Sequence, residues 1–272
     1  DIHRRWVQQG CHGSMQYLNR YHDIRADVGL LLPEAQSVIV AAFSYRQPRH
    51  SPLFADYALG LDYHTVLRSR LQPVADKLQA TFGAQTRICI DTAPLRERYW
   101  AAKAGLGIIG INNHLIIPGL GSDFFLAFIL TTADLPEHHP FDAVDPCTPQ
   151  CSRCMKCVSA CPGHALQPDG SIDARRCLSY LTIEHRGPLP EGTQLHGQIY
   201  GCDICSRVCP MNCAESTAAA LPEFLPAAPV MALTTQRIAA MSATEFSLLF
   251  SRSAVKRTKL CGLQRNVAAL VN

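Results

Sequence analysis

No apolar run in this chain is long enough to cross a membrane, and its first residues lack the basic start, apolar stretch and small-residue cleavage site of a signal peptide. The expected location is cytoplasmic, with no membrane partner. No G-x-G-x-x-G follows a strand-like run and opens a helix, so a Rossmann nucleotide site is not indicated, and there is no P-loop. Acidic residues are missing from Phe246 to Asn272, where Arg252, Lys256, Arg257, Lys259 and Arg265 are all basic. Such a tail can touch phosphates, although an ordinary solvated helix face has the same composition. Over the whole chain the net charge is only +3, weak ground for a nucleic-acid partner. What is present, 47% hydrophobic residues in a chain of 272, is the composition of a soluble globular protein able to bury a medium domain and a smaller one. The chain begins at Asp1 rather than Met, and its N-terminal end is expected to be truncated.

Helix-like runs open the chain ("RRWVQQG", "MQYLNRYH"), and "SVIVAAFSY" (37–45) reads as a buried strand. Apolar residues at helical spacing fill "YHTVLRSRLQPVADKLQATFG" (63–83), with a kink or break expected near Pro73. "TRICI" (86–90) reads as another strand, ending at Asp91. "PLRERYWAAKAG" (94–105) reads as a helix, with Pro94 in its first turn and Gly105 at its close. "HLIIP" and "DFFLAFILT", on either side of "GLGS" (119–122), are expected to pair as strands. Residues 1 to about 135 thus mix helices and strands around one core. "PEHHPFDAVDPCTPQ" is a linker or surface loop, and the chain from "TTQRIAAMSATEFSLLF" onward is helical in pattern.

Thirteen cysteines are too clustered for a disulfide scaffold, since seven of them fall in two tight runs. "CSRCMKCVSACPG" is spaced C-x2-C-x2-C-x3-C-P, and "GCDICSRVCPMN" is spaced C-x2-C-x3-C-P, a copy with one cysteine missing. A 4Fe–4S cluster takes three thiolates from a C-x2-C-x2-C loop, while the cysteine before proline serves the other cluster. Cys151, Cys154 and Cys157 then hold the first cluster, and Cys209 crosses back to complete it. Cys161, Cys202 and Cys205 hold the second, which lacks one ligand. Cys177, in "DARRCLSYL", supplies it: the first cysteine of the second motif has been displaced upstream by the insertion 178–201. Two C-x2-C pairs also suit a four-thiolate zinc site, but zinc does not explain a proline after both terminal cysteines. Cys11, Cys89, Cys147, Cys213 and Cys261 have no partner spacing and are expected to be buried or incidental.

Asp91 is the carboxylate that stands out, because it ends an apolar strand where a side chain projects from a sheet edge into a cleft. The alternative is a helix N-cap for the run that follows, a position Thr92 can also take.

"DTAPLRERYWAAKAGLGIIG", "DARRCLSYLTIEHRGPLP" and "IYGCDICSRVCPMN", in that order, resemble the epoxyqueuosine reductases, cobalamin-dependent iron–sulfur enzymes of tRNA queuosine synthesis. The resemblance extends from "RRWVQQGCHGSMQYLNRY" to "SAVKRTKLCGLQRN", nearly the whole chain, and the family has distant kin in the reductive dehalogenases. It implies that electrons pass one at a time through the clusters to cobalamin, whose reduced cobalt acts on the epoxide-bearing ring. An aspartate, here Asp91, protonates the departing oxygen, for which a pKa raised toward neutrality is expected. By the same resemblance, cobalamin touches Tyr57, Asp91, Leu115, Ile117, Leu126, Ser179 and Asp203, while His185 and Arg186 meet the tRNA. For the apolar members of that set, plain core packing is the alternative. The family commonly has lysine at Ile111 and Gly-Glu at Ala127-Phe128. Some members carry C-terminal helical repeats that contact tRNA, so the grip here is expected to rest on the basic tail and the insertion.

The expectation is an α+β protein: an α/β cobalamin-binding domain (1–140), a ferredoxin-like domain with two 4Fe–4S clusters (141–215) and a short helical C-terminal segment (216–272). It is expected to be a monomer that takes electrons from a donor not identifiable here and reduces epoxyqueuosine in tRNA. The rivals are a ferredoxin-type carrier without catalysis, a cobalamin-dependent reductase of another small molecule, and an RNA-binding module with structural clusters.

Overall fold

The computed structural model describes residues 2–46, 50–138, 149–212 and 219–271, so most of the expected 136–150 linker lies outside the described residues. The elements used below are, in chain order, α1 (Ile2–Gln8), β1 (Ser37–Ser44), α2 (Tyr63–Phe82), β2 (Thr86–Cys89), α3 (Glu97–Lys103), β3 (Ile108–Ile109), β4 (Leu115–Ile116), β5 (Phe124–Thr131), α4 (Lys156–Ala160), α5 (Leu178–Ile183), α6 (Ile204–Arg207), α7 (Ala243–Phe250) and α8 (Lys259–Val271). No described helix is long and apolar enough to cross a membrane.

β5 runs between β1 and β2, antiparallel to both, with Ala41 opposite Ala127 and Ile88 opposite Ile129. Strand alternation sends Phe125, Ala127 and Ile129 to one face, against Val66, Leu67 and Leu71 of α2. Leu126, Phe128 and Leu130 go to the other, against Leu95 and Trp100. β5 is therefore covered on both sides, as its unbroken apolar run requires. β1, at the sheet edge, is only half-buried along most of its length.

α2 runs without a break through Pro73. The proline is exposed, as is Ser69, whose carbonyl loses its helical partner to the missing N–H and can turn to water. An interior proline costs about 3 kcal/mol. Val66, Leu67, Leu71 and Leu78 are all buried on the inner face, each contributing about 2 kcal/mol, so packing wins.

The expected pairing of "HLIIP" with "DFFLAFILT" does not form as a ladder. β4 turns back onto β3, with Ile108 opposite Ile116, because both edges of β5 are already taken. Gly107 permits the close approach, since a Cβ there would lie 2.3 Å from the Ile116 carbonyl oxygen. α3 begins at Glu97 rather than near Pro94, leaving 91–96 as a loop between strand and helix.

Side-chain clusters cross the expected divisions at 140 and 215. Phe54, Leu59, Ile199 and Tyr200 share one core with Phe250, Val255, Leu263 and Val267. At the other end, the Trp6 indole donates to the Ile172 carbonyl at 2.5 Å, and the Ser14 amide donates to the Tyr180 hydroxyl at 2.8 Å.

Candidate active site and cluster-binding cysteines

Cys151, Cys154, Cys157 and Cys209 line one cavity of about 170 Å³, walled by Ile108, Ile116 and Met211. Cys161, Cys177 and Cys205 meet in an apolar cluster with Ala165 and Leu166, which Cys157 of the first set also borders, and Cys202 packs with Cys177 in the adjoining one. The thiols repel deprotonation in the same two sets. Burial, then Cys177, Asp203 and Cys161, push Cys202 up to about 11. Cys205 is raised by burial, then by Cys202, Cys177 and Cys161, with Cys157 as its one neighbour from the other set. Cys209 is raised by burial and by Cys151 and Cys154. Cationic iron reverses this, because its charge deprotonates coordinating thiols outright.

Backbone donors are in place as well: the Ile111 amide lies 3.4 Å from Cys151 Sγ and the Ala165 amide 3.3 Å from Cys161 Sγ. Such bonds stabilise thiolate and tune cluster potential. Among the described residues, no three His, Cys, Asp or Glu converge on a single ion. Thiolates round a 4Fe–4S cube stand about a body rather than a point. The cysteines fit the clusters. Cys89 is buried on β2 and Cys261 is exposed; Cys147 and Cys213 lie outside the described residues.

Asp91 ends the run from β2 with φ +46°, in the left-handed region, where a non-glycine residue bears a cost of about 1–2 kcal/mol. It caps no helix, since the residue before α3 is Arg96. Its side chain is 57% exposed, and Oδ2 stands 3.2 Å from His64 Nε2. His64 Nδ1 lies 2.8 Å from Asp62 Oδ1, and Asp62 also accepts the His64 amide at 3.1 Å, capping α2, and the Lys256 ammonium at 2.6 Å. Partial burial alone would lower the His64 pKa, but the hydrogen bonds to Asp62 and Asp91 and their charges raise it to about 9. On Asp91, enclosure pushes upward, but the bond and charge of His64, then the Tyr63 hydroxyl, leave its pKa lowered. The expected upward shift is absent from this structure; of the pair, it is His64 whose hold on a proton is raised.

Sequence reading missed Asp62, Tyr63, His64 and Glu97. The one available signal was Asp62, an N-cap residue just before an apolar-periodic run.

From His64 an aromatic path leads inward. Its ring stacks on Tyr63 at 4.2 Å, Tyr63 lies 6.3 Å from Tyr57, and Tyr57 lies 6.2 Å from Tyr200. Asp203, between Cys202 and Cys205, accepts the Asp56 amide at 2.7 Å, and burial, then the Asp56 charge, push it up to about 6. Tyr57, Asp203 and Asp91 thus belong to one region. Leu115, Ile117 and Leu126 share a different cluster, on the opposite face of the sheet from Tyr57, with the first two fully enclosed. Ser179 is half-buried in the first turn of α5. Tyr57 and Asp203 adjoin the second cysteine set and fit a group that exchanges electrons with it; Leu115 and Ile117 are buried and Leu126 is half-buried beside Leu106 and Leu120.

His185 and Arg186 lie just beyond α5. The His185 ring bonds the Pro188 carbonyl at 2.7 Å, and Arg186 donates to the carbonyls of Ile183 (2.7 Å) and Arg257 (3.1 Å). The basic tail is partly tied inward: Arg257 grips Glu184 through two 2.8 Å bonds, Lys256 pairs with Asp62, and Arg265 donates to the carbonyls of Leu181, His185 and Gly187.

A family model described as epoxyqueuosine reductase QueG (DUF1730) matches residues 25–92, and one for a 4Fe-4S double cluster binding domain matches 150–212. An epoxyqueuosine reductase of Gloeobacter violaceus is 39% identical, with 96% of this chain and 83% of that protein covered. The Cellulophaga algicola enzyme is 34% identical over 97% of this chain and 86% of its own length. A crystal structure of epoxyqueuosine reductase with an epoxyqueuosine-modified tRNA-Tyr stem loop superposes with a TM-score of 0.85 at 28% identity, covering 99% of this chain and 73% of that one. A Bacillus subtilis epoxyqueuosine reductase with its catalytic aspartate loop swung out of the active site matches at the same TM-score, identity and coverage.

Proposed function

Because the chain belongs to the epoxyqueuosine reductase family, we propose that it reduces epoxyqueuosine to queuosine at the wobble position of tRNA, using two 4Fe–4S clusters, cobalamin and Asp91 as proton donor. Removing an epoxide oxygen as water takes two electrons and two protons. The observation that carries the proposal is the adjacency of electron and proton sources. Asp203 stands between two cysteines of the second set and bonds the backbone beside Tyr57, and the aromatic path from Tyr57 ends at His64 and Asp91.

Cys151, Cys154, Cys157 and Cys209 hold the first cluster, and Cys161, Cys177, Cys202 and Cys205 the second. The two sets meet where Cys157 and Cys205 border the same apolar cluster. What cobalamin supplies when bound is a cobalt centre able to collect electrons from the clusters. Tyr57 and Asp203 are the residues best placed to hold it beside the second set. Asp62 fixes His64 through Nδ1, so that Nε2–H points at Asp91 Oδ2. Asp91 passes to the departing oxygen a proton that it takes from His64. The tRNA approaches this open mouth, where Arg257 and Tyr17 lie close enough to feel the Asp91 charge, with His185 and Arg186 on the flanking segment.

The test is metal content after anaerobic reconstitution and incubation with cobalamin. About eight iron per chain with about one cobalt supports the reductase. Full iron without retained cobalt makes an electron carrier the better account.

A further inference from the structure

The loop from Asp91 to Arg96 contains no glycine, yet its first residue holds a left-handed conformation. Contacts within the loop and one from beyond it hold that conformation. The Thr92 amide reaches back to the Ile90 carbonyl at 2.5 Å and the Leu95 amide to Ala93 at 2.7 Å, two tight local turns. The Asp91 amide itself donates to Glu97 Oε1 at 2.7 Å. Glu97 opens α3 and is half-buried, so this bond ties the end of the strand to the start of the helix across the whole loop.

We propose that Glu97 is the positioning residue of this site: its carboxylate holds the Asp91 amide, fixes the left-handed turn and so aims the Asp91 carboxylate at His64 Nε2. The proposal deepens the reading of Asp91 as proton donor and rests on it for its catalytic meaning. The bond asks only for an acceptor oxygen, which glutamine also offers and alanine does not. Burial and then the Asp91 charge push the Glu97 carboxyl up to about 7, with Arg98 and Arg25 opposing. The groups facing it are Asp91 from the loop, Arg98 from its own helix, Arg25 from the N-terminal region, Tyr63 from α2 and Cys89 from β2. Either protonation state leaves one oxygen free to accept the amide, so the latch holds through neutrality.

The test needs no cofactor: the His64 ring is titrated by NMR in the protein as isolated. Asp91→Asn sets the floor, the pKa of His64 without the Asp91 charge. Glu97→Ala is expected to fall from about 9 to that floor, while Glu97→Gln stays near the unsubstituted value. A Glu97→Ala titration like the unsubstituted protein's, or a Glu97→Gln titration like alanine's, overturns the proposal. Hydrogen exchange in the unsubstituted protein tests it without any variant: the Asp91 amide is expected to be protected, and exchange at the rate of an exposed amide also overturns it. In the loaded enzyme, Glu97→Ala is expected to lower kcat on the order of 100-fold, the cost of a small misplacement, with KM for tRNA unchanged. If Asp91→Asn instead turns over normally, Asp91 fails as the donor, whatever His64 reports.

Discussion

His64 sits between two carboxylates, Asp62 and Asp91. With its folded pKa raised to about 9 from an ordinary value near 6.5, the pair stabilises the fold fully below pH ~6.5 and loses that contribution as pH rises through about 9. Denaturation across this range is expected to show an alkaline loss that His64→Gln abolishes. Asp91→Asn is expected to cut turnover by about 10²–10⁴-fold, the range for a lost general acid, without weakening tRNA binding. Asp91 stood out in the sequence because it closes an apolar strand, but the pattern left a helix cap open, and only the resemblance implies a proton donor. His64 did not stand out: a histidine two places after an N-cap aspartate looks like any helix start. Only the fold carries the first turn of α2 to the end of β2.

The cysteine segments are elements whose sequence order differs from their pairing in space. Cys161 lies in the first run but among the thiols of the second set, and Cys209 the reverse. Cys177→Ala or Cys161→Ala is therefore expected to lower iron from about eight to about four per chain and spare the first cluster. Cys209→Ala is expected to spare the second. Loss of the same cluster in Cys161→Ala and Cys154→Ala would contradict the assignment. Fixed ligand spacing is what grouped these cysteines in the sequence, and the structure groups Cys177 with Cys161 and Cys205 in the same way. The pairing of β4 was not readable, because nothing in "HLIIP" records that both edges of β5 are occupied. Ile111 lends its amide to Cys151, a contact any side chain permits, while its own side chain is buried. Ala127 and Phe128 are fully enclosed on opposite faces of β5, so Phe128 fills space against Leu95 that an acidic side chain could not occupy without a partner.

Over the molecule as a whole, the alternation of strand-like and helix-like runs anticipated the mixing of helices and strands but not how closely the parts are joined. The C-terminal segment reads as an appended helical stretch, yet Phe250 packs 6.2 Å from Phe54 in the core that also holds Tyr200. Phe250→Ala is expected to cost about 3–5 kcal/mol, measured by urea unfolding. Probes near Trp6 and near the C-terminal helices should report the same loss. A loss confined to the C-terminal probe would show that the shared core is not cooperative. Three basic residues of the tail are likewise clamps between distant segments, which charge counting along the sequence cannot reveal.

The most direct measurement follows epoxyqueuosine in tRNA by mass spectrometry in a single turnover with the iron- and cobalt-loaded protein. The account predicts loss of one oxygen from the modified base, abolished or strongly slowed in Asp91→Asn. A fully loaded protein that is reduced and binds the tRNA but leaves that oxygen in place would contradict it.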